Sequence, residues 1–273
     1  MKLLQITDTH LSPSKPHFNG NWEPLARRVA AVAPDIVVHT GDLSVDGADR
    51  DEDLAFATAR LRDLTAPVLV LPGNHDVGHL PGTRQPVDAA RLARWRRVVG
   101  PDRWCEDRGG WRLLGIDSLL LGSGSVEEAE QWAWLVRRLE GRGGRPVALF
   151  AHQPLFVDDP DEGDTGYWGI PPTPRRALRH LMARHGVKLF ASGHLHRAFA
   201  GRLDAAALVW APASSFVVGL MERDLPGRPI LGAVLHRFGP DAVASEAVDV
   251  PGLVTHRLDD VVDEVYPRAG SPT

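Results

Sequence analysis

Asp35-Ile36-Val37-Val38-His39-Thr40-Gly41-Asp42 sets a short apolar run against a Gly-Asp ending. A run of that length without alternation suits a strand covered on both faces, as in the middle of a parallel sheet. Working outward, Trp22–Ala33 reads as a helix stopped by Pro34. Asp51–Leu64 reads as another, with Leu54, Ala57, Leu61 and Leu64 on one stripe. Strands are expected on either side, at Lys2–Thr7 and Pro67–Leu71. The alternation continues through a basic helix at Val87–Val99, a strand at Trp111–Asp117, a helix at Glu127–Glu140 and a strand at Pro146–Ala151. A helix at Pro174–His185 begins on proline, a favoured first position, and Val187–Ser192 follows as a strand.

Beyond His196 the pattern changes. Ala198–Leu203, Ala207–Ala211, Ser215–Leu220, Ile230–Phe238 and Ala242–Val248 read as strands joined by Gly/Pro turns, which predicts an antiparallel second sheet. Alternating β/α followed by a run of strands predicts an α/β fold, a two-sheet αββα sandwich. One domain is expected over residues 1–250. Residues 251–273 read as a polar, turn-rich tail, with Arg268–Thr273 disordered.

The bulk properties are those of an ordinary globular chain: 273 residues, 43% hydrophobic, net charge -4. No Lys/Arg run marks a nucleic-acid footprint, although Arg greatly outnumbers Lys. A single cysteine, Cys105, rules out an intramolecular disulfide and fits a reducing compartment. The N-terminus carries no signal-peptide pattern and no apolar stretch reaches the roughly 20 residues of a membrane span, so a cytoplasmic protein is expected.

Five strand ends carry metal-ligand residues: Asp8-Thr9-His10, Gly41-Asp42, Gly73-Asn74-His75-Asp76, Ala151-His152 and Gly193-His194-Leu195-His196. Ligands in open parallel sheets bind just outside the carboxyl ends of the strands. Residues i and i+2 of an extended segment point the same way, so Asp8 with His10, and His194 with His196, are expected to pair on one face. Imidazole and carboxylate donors suit manganese, iron, zinc or cobalt; calcium and magnesium favour cages mostly of oxygen.

The order, spacing and strand context of these five segments resemble the calcineurin-like metallophosphoesterase superfamily, over about Met1 to Arg197. Gly41-Asp42-Leu43-Ser44, the Gly-His-Leu-His ending and the length are similar to its bacterial branch of class III cyclic-nucleotide phosphodiesterases and glycerophosphodiesterases. The resemblance implies two divalent or trivalent metal ions. Asp8, His10 and His196 would hold one; Asn74, His152 and His194 the other; Asp42 would bridge them. His75 would face the scissile phosphate without binding metal, and a hydroxide shared by the ions would attack phosphorus in line. Many members place an acid or Asn three positions after the bridging Asp, where it orients the His. Here that position is Val45, which leaves the hold on His75 to a shifted loop, to Asp76, or to nothing.

The expected activity is therefore that of an enzyme, a metal-dependent phosphoric ester hydrolase acting on phosphate diesters of cyclic-nucleotide or glycerophosphodiester type. The alternatives are a phosphomonoesterase or nucleotidase on the same site and a non-catalytic binding scaffold. Small-molecule phosphate esters are the expected partners, and the resemblance implies a homo-oligomer. Candidate substrate contacts are His75, Lys15 and His17 in the Leu11–Asn21 loop, and Tyr167 and Trp168 after the acidic stretch Asp158–Asp164. That stretch reads either as a substrate wall disfavouring dianionic monoesters or as a solvated loop capping the following helix. His39, which closely precedes Asp42, reads either as a support for the ligands or, by preference, as a buried strand residue, and His79, His180, His185, His236 and His256 read as surface or packing residues.

Overall fold

The computed structural model describes residues 1–219 and 223–266. The chain runs through β1 (Lys2–Ile6), α1 (Trp22–Val32), β2 (Ile36–His39), α2 (Asp51–Arg62), β3 (Val68–Val70), α3 (Asn74–Val77) and α4 (Ala89–Val98). It continues with β4 (Trp104–Arg108), β5 (Trp111–Gly115), α5 (Val126–Glu140), β6 (Val147–Phe150), α6 (Pro172–His185) and β7 (Val187–Ser192). Then come β8 (Phe199–Leu203), β9 (Ala206–Trp210), β10 (Phe216–Val217), β11 (Ala233–Phe238), β12 (Val243–Val248), β13 (His256–Arg257) and α7 (Val262–Val265).

Local chemistry sets the ends of these elements. Ser125 Oγ accepts from the Glu128 N–H to start α5, and Asp88 Oδ1 accepts from the Arg91 N–H to start α4. Gly186, left-handed at φ 62°, ends α6 and turns the chain into β7.

Two sheets face each other. The first has the order β12-β11-β1-β2-β3 and the second β4-β5-β6-β7-β9-β8. Leu3, Ile36 and Val38 of the first pack against Leu113, Ala148, Phe150, Leu189 and Ala191 of the second. On the outer face of the first sheet, Leu25, Val29, Leu54, Leu61, Leu92 and Trp95 from α1, α2 and α4 cover Leu4, Ile6 and Val37. On the outer face of the second, Leu135, Leu139, Leu178 and Met182 from α5 and α6 cover Leu114 and Leu149. The order of layers is αββα, as the sequence predicts, and the central strands β2 and β6 are buried on both faces for that reason.

The strand run after His196 does not build the antiparallel second sheet expected of it; most of it joins the two main sheets, and β10 forms a small parallel pair with β13. β9 joins the second sheet parallel to β7, and β8 pairs antiparallel with β9. β11 and β12 return to the first sheet, antiparallel to β1 and to each other. Each sheet thus gains an antiparallel edge from the C-terminal third. β4, absent from the sequence reading, pairs antiparallel with β5.

The segment after Pro251 also departs from the expected tail. β13 pairs in parallel with β10, Phe216 opposite His256 and Val217 opposite Arg257. Val265 is fully buried with Phe18, Val45 and Phe216. The expectation of disorder at Arg268–Thr273 lies outside the described residues, as does the end of the predicted strand Ser215–Leu220. Among the described residues, no helix is long and apolar enough to cross a membrane.

Candidate metal centre

The five strand ends converge at one edge of the sandwich. Asp8, His10, Asp42, Asn74, His152, His194 and His196 are all buried, none more than 6% exposed. The means of convergence differs from the extended alternation expected. Asp8, His10, Asp42, His194 and His196 take φ values of 52°, 43°, 52°, 73° and 52°. A non-glycine residue with positive φ is uncommon and costs of order 1 kcal/mol or more, and such residues gather at functional sites. Left-handed kinks, not strand pleat, turn these side chains inward. Gly41, at φ 101°, passes so close to the neighbouring loop that a Cβ there would lie 2.6 Å from His152 Nδ1. A Cβ on Gly73 would overlap the Asp42 carboxylate.

Each carboxylate is held on one oxygen by a backbone amide. The His194 N–H donates to Asp8 Oδ2 (3.1 Å) and the His75 N–H donates to Asp42 Oδ1 (2.8 Å). The other oxygen faces inward. Asp8 Oδ1 lies 3.4 Å from His196 Nε2; Asp42 Oδ2 lies 3.3 Å from His152 Nε2 and 3.7 Å from His10 Nε2. Asp42 thereby stands between two groups of ligand atoms, one from Asp8, His10 and His196 and one including His152 and His194. His10, Asp42 and His75 form a third close group across the seam.

The imidazoles are held from behind. His152 Nδ1 donates to the Thr40 carbonyl (2.8 Å), His194 Nε2 to the Tyr167 carbonyl (2.8 Å) and His196 Nδ1 to the Phe216 carbonyl (2.8 Å). His10 Nδ1 meets the Tyr266 hydroxyl at 2.7 Å. The three carbonyls fix the tautomers of His152, His194 and His196, the Tyr266 hydroxyl can serve His10 as acceptor, and the opposite nitrogens face the centre. There His152 Nε2 sits 3.1 Å from His194 Nδ1 and 3.1 Å from Asn74 Oδ1. Asp8 Oδ1 and His10 Nε2 are buried without a hydrogen-bond partner. Acceptors crowded together are unfavourable unless a proton or a metal cation lies among them, and this donor set fits metal ions.

The electrostatics agree. Burial would raise the Asp42 carboxyl, but the surrounding His152 and His75 imidazoles hold it well below the usual range. Burial likewise opposes the His196 imidazole beside Asp8, which keeps the Asp8 carboxyl below its ordinary value. Burial would lower His152, yet the Asp42 charge pushes it up to about 9. The cluster attracts positive charge.

Asp76 lies beneath the centre. Its carboxylate accepts from the N–H groups of Leu43 (3.0 Å), Ser44 (3.1 Å) and Gly73 (3.0 Å) and from Ser44 Oγ (2.7 Å). Burial, with the Asp42 charge nearby, pushes it up to about 7. It ties the Asp42 loop to the Asn74 loop and does not touch the His75 ring. His75 Nδ1 bonds the Val45 carbonyl at 3.2 Å. Position 45, where the resemblance implies an acid or Asn, thus holds His75 through its backbone, where side-chain identity is immaterial.

Residues singled out as substrate contacts divide. Tyr167 and Trp168 line a cleft of about 270 Å³ over the centre, with His10, Asp42, His75, Phe216 and Tyr266. The Tyr167 hydroxyl accepts from Asn74 Nδ2 (3.0 Å), so it also orients the amide oxygen toward His152. Lys15 pairs with Asp46 (2.6 Å) and donates to the Val265 carbonyl (2.7 Å); His17 pairs with Glu264 (2.9 Å). Both grip the C-terminal segment. The acidic loop turns away: Glu162 and Asp161 pair with Arg175 and Arg179 of α6, and Asp158 with Arg223. Asp159 and Asp164 accept loop N–H groups. Two of its five acids pair with the helix and one with Arg223, and none of the five is among the residues lining the cleft.

Sequence reasoning missed His79, which is buried, stacks on Tyr167 at 4.9 Å and bonds its carbonyl. It also missed Tyr266, assigned to the tail. His39 is a positioning group as well as a buried strand residue: its Nδ1 accepts from the Gly41 N–H (3.2 Å) and its Nε2 bonds Thr9 Oγ1 (3.0 Å). No local pattern marks His79 or Tyr266, whereas the place of His39 just before Asp42 does mark it as a candidate support.

A family model described as calcineurin-like phosphoesterase matches residues 1–198. The serine/threonine-protein phosphatase CPPED1 of Bos taurus is 30% identical over 155 residues, covering 55% of this chain and 47% of that protein. The glycerophosphodiester phosphodiesterase GpdQ of Enterobacter lignolyticus is 31% identical over 176 residues, covering 56% and 57%. A probable GpdQ of Arcobacter nitrofigilis is 27% identical over 225 residues, covering 72% of each chain. The chain spans about half the length of the first of these curated relatives. Among solved structures, the purple acid phosphatase PPD1 of yellow lupin superposes with a TM-score of 0.64 at 15% identity, covering 100% of this chain and 57% of that one. A dimetal phosphatase of Danio rerio gives 0.61 at 15% identity, covering 90% and 95%. At such identities the structural likeness speaks for the fold alone. The match to the family model takes in all five of the converging strand ends, and on that ground the chain belongs to the calcineurin-like phosphoesterase family.

Proposed function

We propose that this protein hydrolyses phosphate diesters with two metal ions. Asp8, His10 and His196 hold one, Asn74, His152 and His194 hold the other, and Asp42 is shared. The observation that carries the reading is the set of lone pairs facing one another at about 3 Å, each backed by a hydrogen bond that fixes its direction. A scaffold with no catalytic task would have no use for so many buried acceptors left facing one another. The metals, of the manganese, iron, zinc or cobalt kind, supply Lewis-acid polarisation of the phosphoryl oxygens and a water acidified to near neutral pH.

The chain's own residues do the rest. His75, anchored at Nδ1 by Val45, presents Nε2 to the cleft. As an imidazolium it gives that proton to the departing alkoxide oxygen and remains bonded to Val45 as the neutral ring. Tyr167, Trp168, Phe216, Val218 and Leu258 give the cleft an aromatic and apolar wall that accepts an organic ester group and excludes water. Among the described residues that line it there is no Lys or Arg. A diester monoanion needs less countercharge than a monoester dianion, which favours the diester. This argument replaces the acidic wall, whose carboxylates are paired elsewhere.

A second reading, phosphomonoester hydrolysis, has its own support. A neighbouring cleft of about 420 Å³ shares His75 and Tyr266 and is lined by Lys15, Arg50 and Arg84, and some relatives are named as protein phosphatases. Free Cys105 supports a reducing, cytoplasmic setting. The test is hydrolysis of bis-nitrophenyl against mononitrophenyl phosphate by manganese-loaded protein, with Asp42→Ala as control. Diester preference that vanishes in the variant is expected. Monoester preference would overturn the diester reading.

A further inference from the structure

The four candidate histidines are not supported alike. His152, His194 and His196 lean on backbone carbonyls. His10 leans on a side chain, the Tyr266 hydroxyl, 256 residues away at the far end of the described chain. His196 depends on the same region at one remove: the Phe216 carbonyl that holds it belongs to β10, which pairs with β13.

We infer that the C-terminal segment, residues 256–266, completes one metal site and leaves the other alone, with Tyr266 as the positioning residue for His10. The inference rests on the two-metal reading above. Tyr266 accepts from His10 Nδ1, which directs the Nε2 lone pair toward Asp8 and His196. Its ring packs at 4.6 Å from the His75 ring and forms one wall shared by the two clefts. The segment is clasped in place. Lys15 Nζ holds the Val265 carbonyl, His17 pairs with Glu264, and the Gly219 N–H donates to Asp259 (2.9 Å). Beneath, Val265 fills the space between Phe18, Val45 and Phe216. Among the described residues nothing comparable reaches the second group. His152 is backed by Thr40 and His194 by Tyr167, both distant from this segment in the chain.

Removing an outer hydrogen bond to a ligating imidazole lowers metal affinity about 10–100-fold. Tyr266→Phe keeps the ring and loses only the hydroxyl. Manganese titration followed by calorimetry or electron spin resonance reads the two sites separately, without activity. The expected result is two ions in the wild type, and in Tyr266→Phe one affinity weakened about 10–100-fold and the other unchanged. The metal-free melting temperature of the variant should match the wild type, which separates positioning from packing. Tyr266→Ala, which also removes the ring, should lose thermal stability as well. Equal affinities for both ions in Tyr266→Phe and wild type would overturn the inference while leaving the two-metal reading intact. Weakening of both sites together would also overturn it. A wild type that binds no metal would overturn the two-metal reading itself.

Discussion

The two halves of the centre are built by different means. Asn74, His152 and His194 are supported largely from within the α/β alternation, by the carbonyls of Thr40 and Tyr167 and by the Tyr167 hydroxyl on the Asn74 amide. Asp8, His10 and His196 sit on the same scaffold, and Asp8 takes the His194 N–H, but the two histidines draw their outer hydrogen bonds from Phe216 and Tyr266, in the strand run and the segment that follows it. The first half is wired mostly into the core. The second is closed by a piece of chain that crosses back over the sheet edge. A carbonyl partner survives almost any substitution at its own residue, whereas a hydroxyl partner does not. Each half therefore has one side-chain hydroxyl that a point substitution can remove, Tyr167 behind Asn74 and Tyr266 behind His10.

His75 stands at the seam, its N–H on Asp42 and its ring 4.9 Å from His10. His75→Gln should lower kcat about 10²–10⁴-fold on a diester with an alkyl leaving group, the usual worth of general acid catalysis. The loss should be much smaller on a nitrophenyl diester, whose leaving group needs little protonation. Metal content should not change. An equal loss on both substrates would remove His75 from the acid role.

Tyr167→Phe is the counterpart of the Tyr266 variant. It deletes the hydroxyl that orients Asn74 and keeps the carbonyl that holds His194. The affinity of the Asn74 site should fall about 10-fold with the other site unchanged. Manganese titration of the two variants side by side should show opposite sites weakened. If both weaken the same site, the division of the centre is wrong.

The smallest effect concerns the floor under both halves. Gln5 Nε2 donates to Thr40 Oγ1 (3.0 Å) and to the Ser192 carbonyl (3.0 Å), tying the two sheets together just below the centre. Its Oε1 accepts from His236 Nε2 (3.0 Å), and His236 Nδ1 accepts from Ser245 Oγ (2.7 Å). Burial pushes His236 down to about 3. Between that value and the unfolded value near 6.5, the unfolded chain binds a proton that the folded one does not. Stability is therefore lost as pH falls through that window, at most about 1.4 kcal/mol per pH unit for this group. His236→Gln should flatten the slope of urea-unfolding stability between pH 6 and pH 4, an interval of roughly two units inside that window. An unchanged slope would show that His236 is not the group responsible.

Much of this was legible in the sequence because strand ends are local. An apolar run followed by Gly-Asp or Gly-Asn-His announces both the strand and the side chains at its end, and the β/α alternation follows from period and length. What was not legible lies in backbone atoms and in long-range contacts. The Val45 carbonyl on His75 leaves no trace in residue identity. The left-handed φ of Asp8 and His10 cannot be told from an extended Asp-Thr-His. The bond from Tyr266 to His10 joins opposite ends of the chain, and a polar, turn-rich composition disguised the segment that makes it. The acidic loop gave its charge but not its partners: Arg175 and Arg179 lie in a helix whose own pattern was read separately. The strands after His196 were recognisable as strands, but their division between two sheets depends on pairing, which alternation does not encode.

The most direct test of the two-metal account is anomalous scattering from crystals grown with manganese. Two peaks per chain are predicted, one among Asp8, His10 and His196 and one among Asn74, His152 and His194, with Asp42 touching both. A single peak, or none, would contradict it.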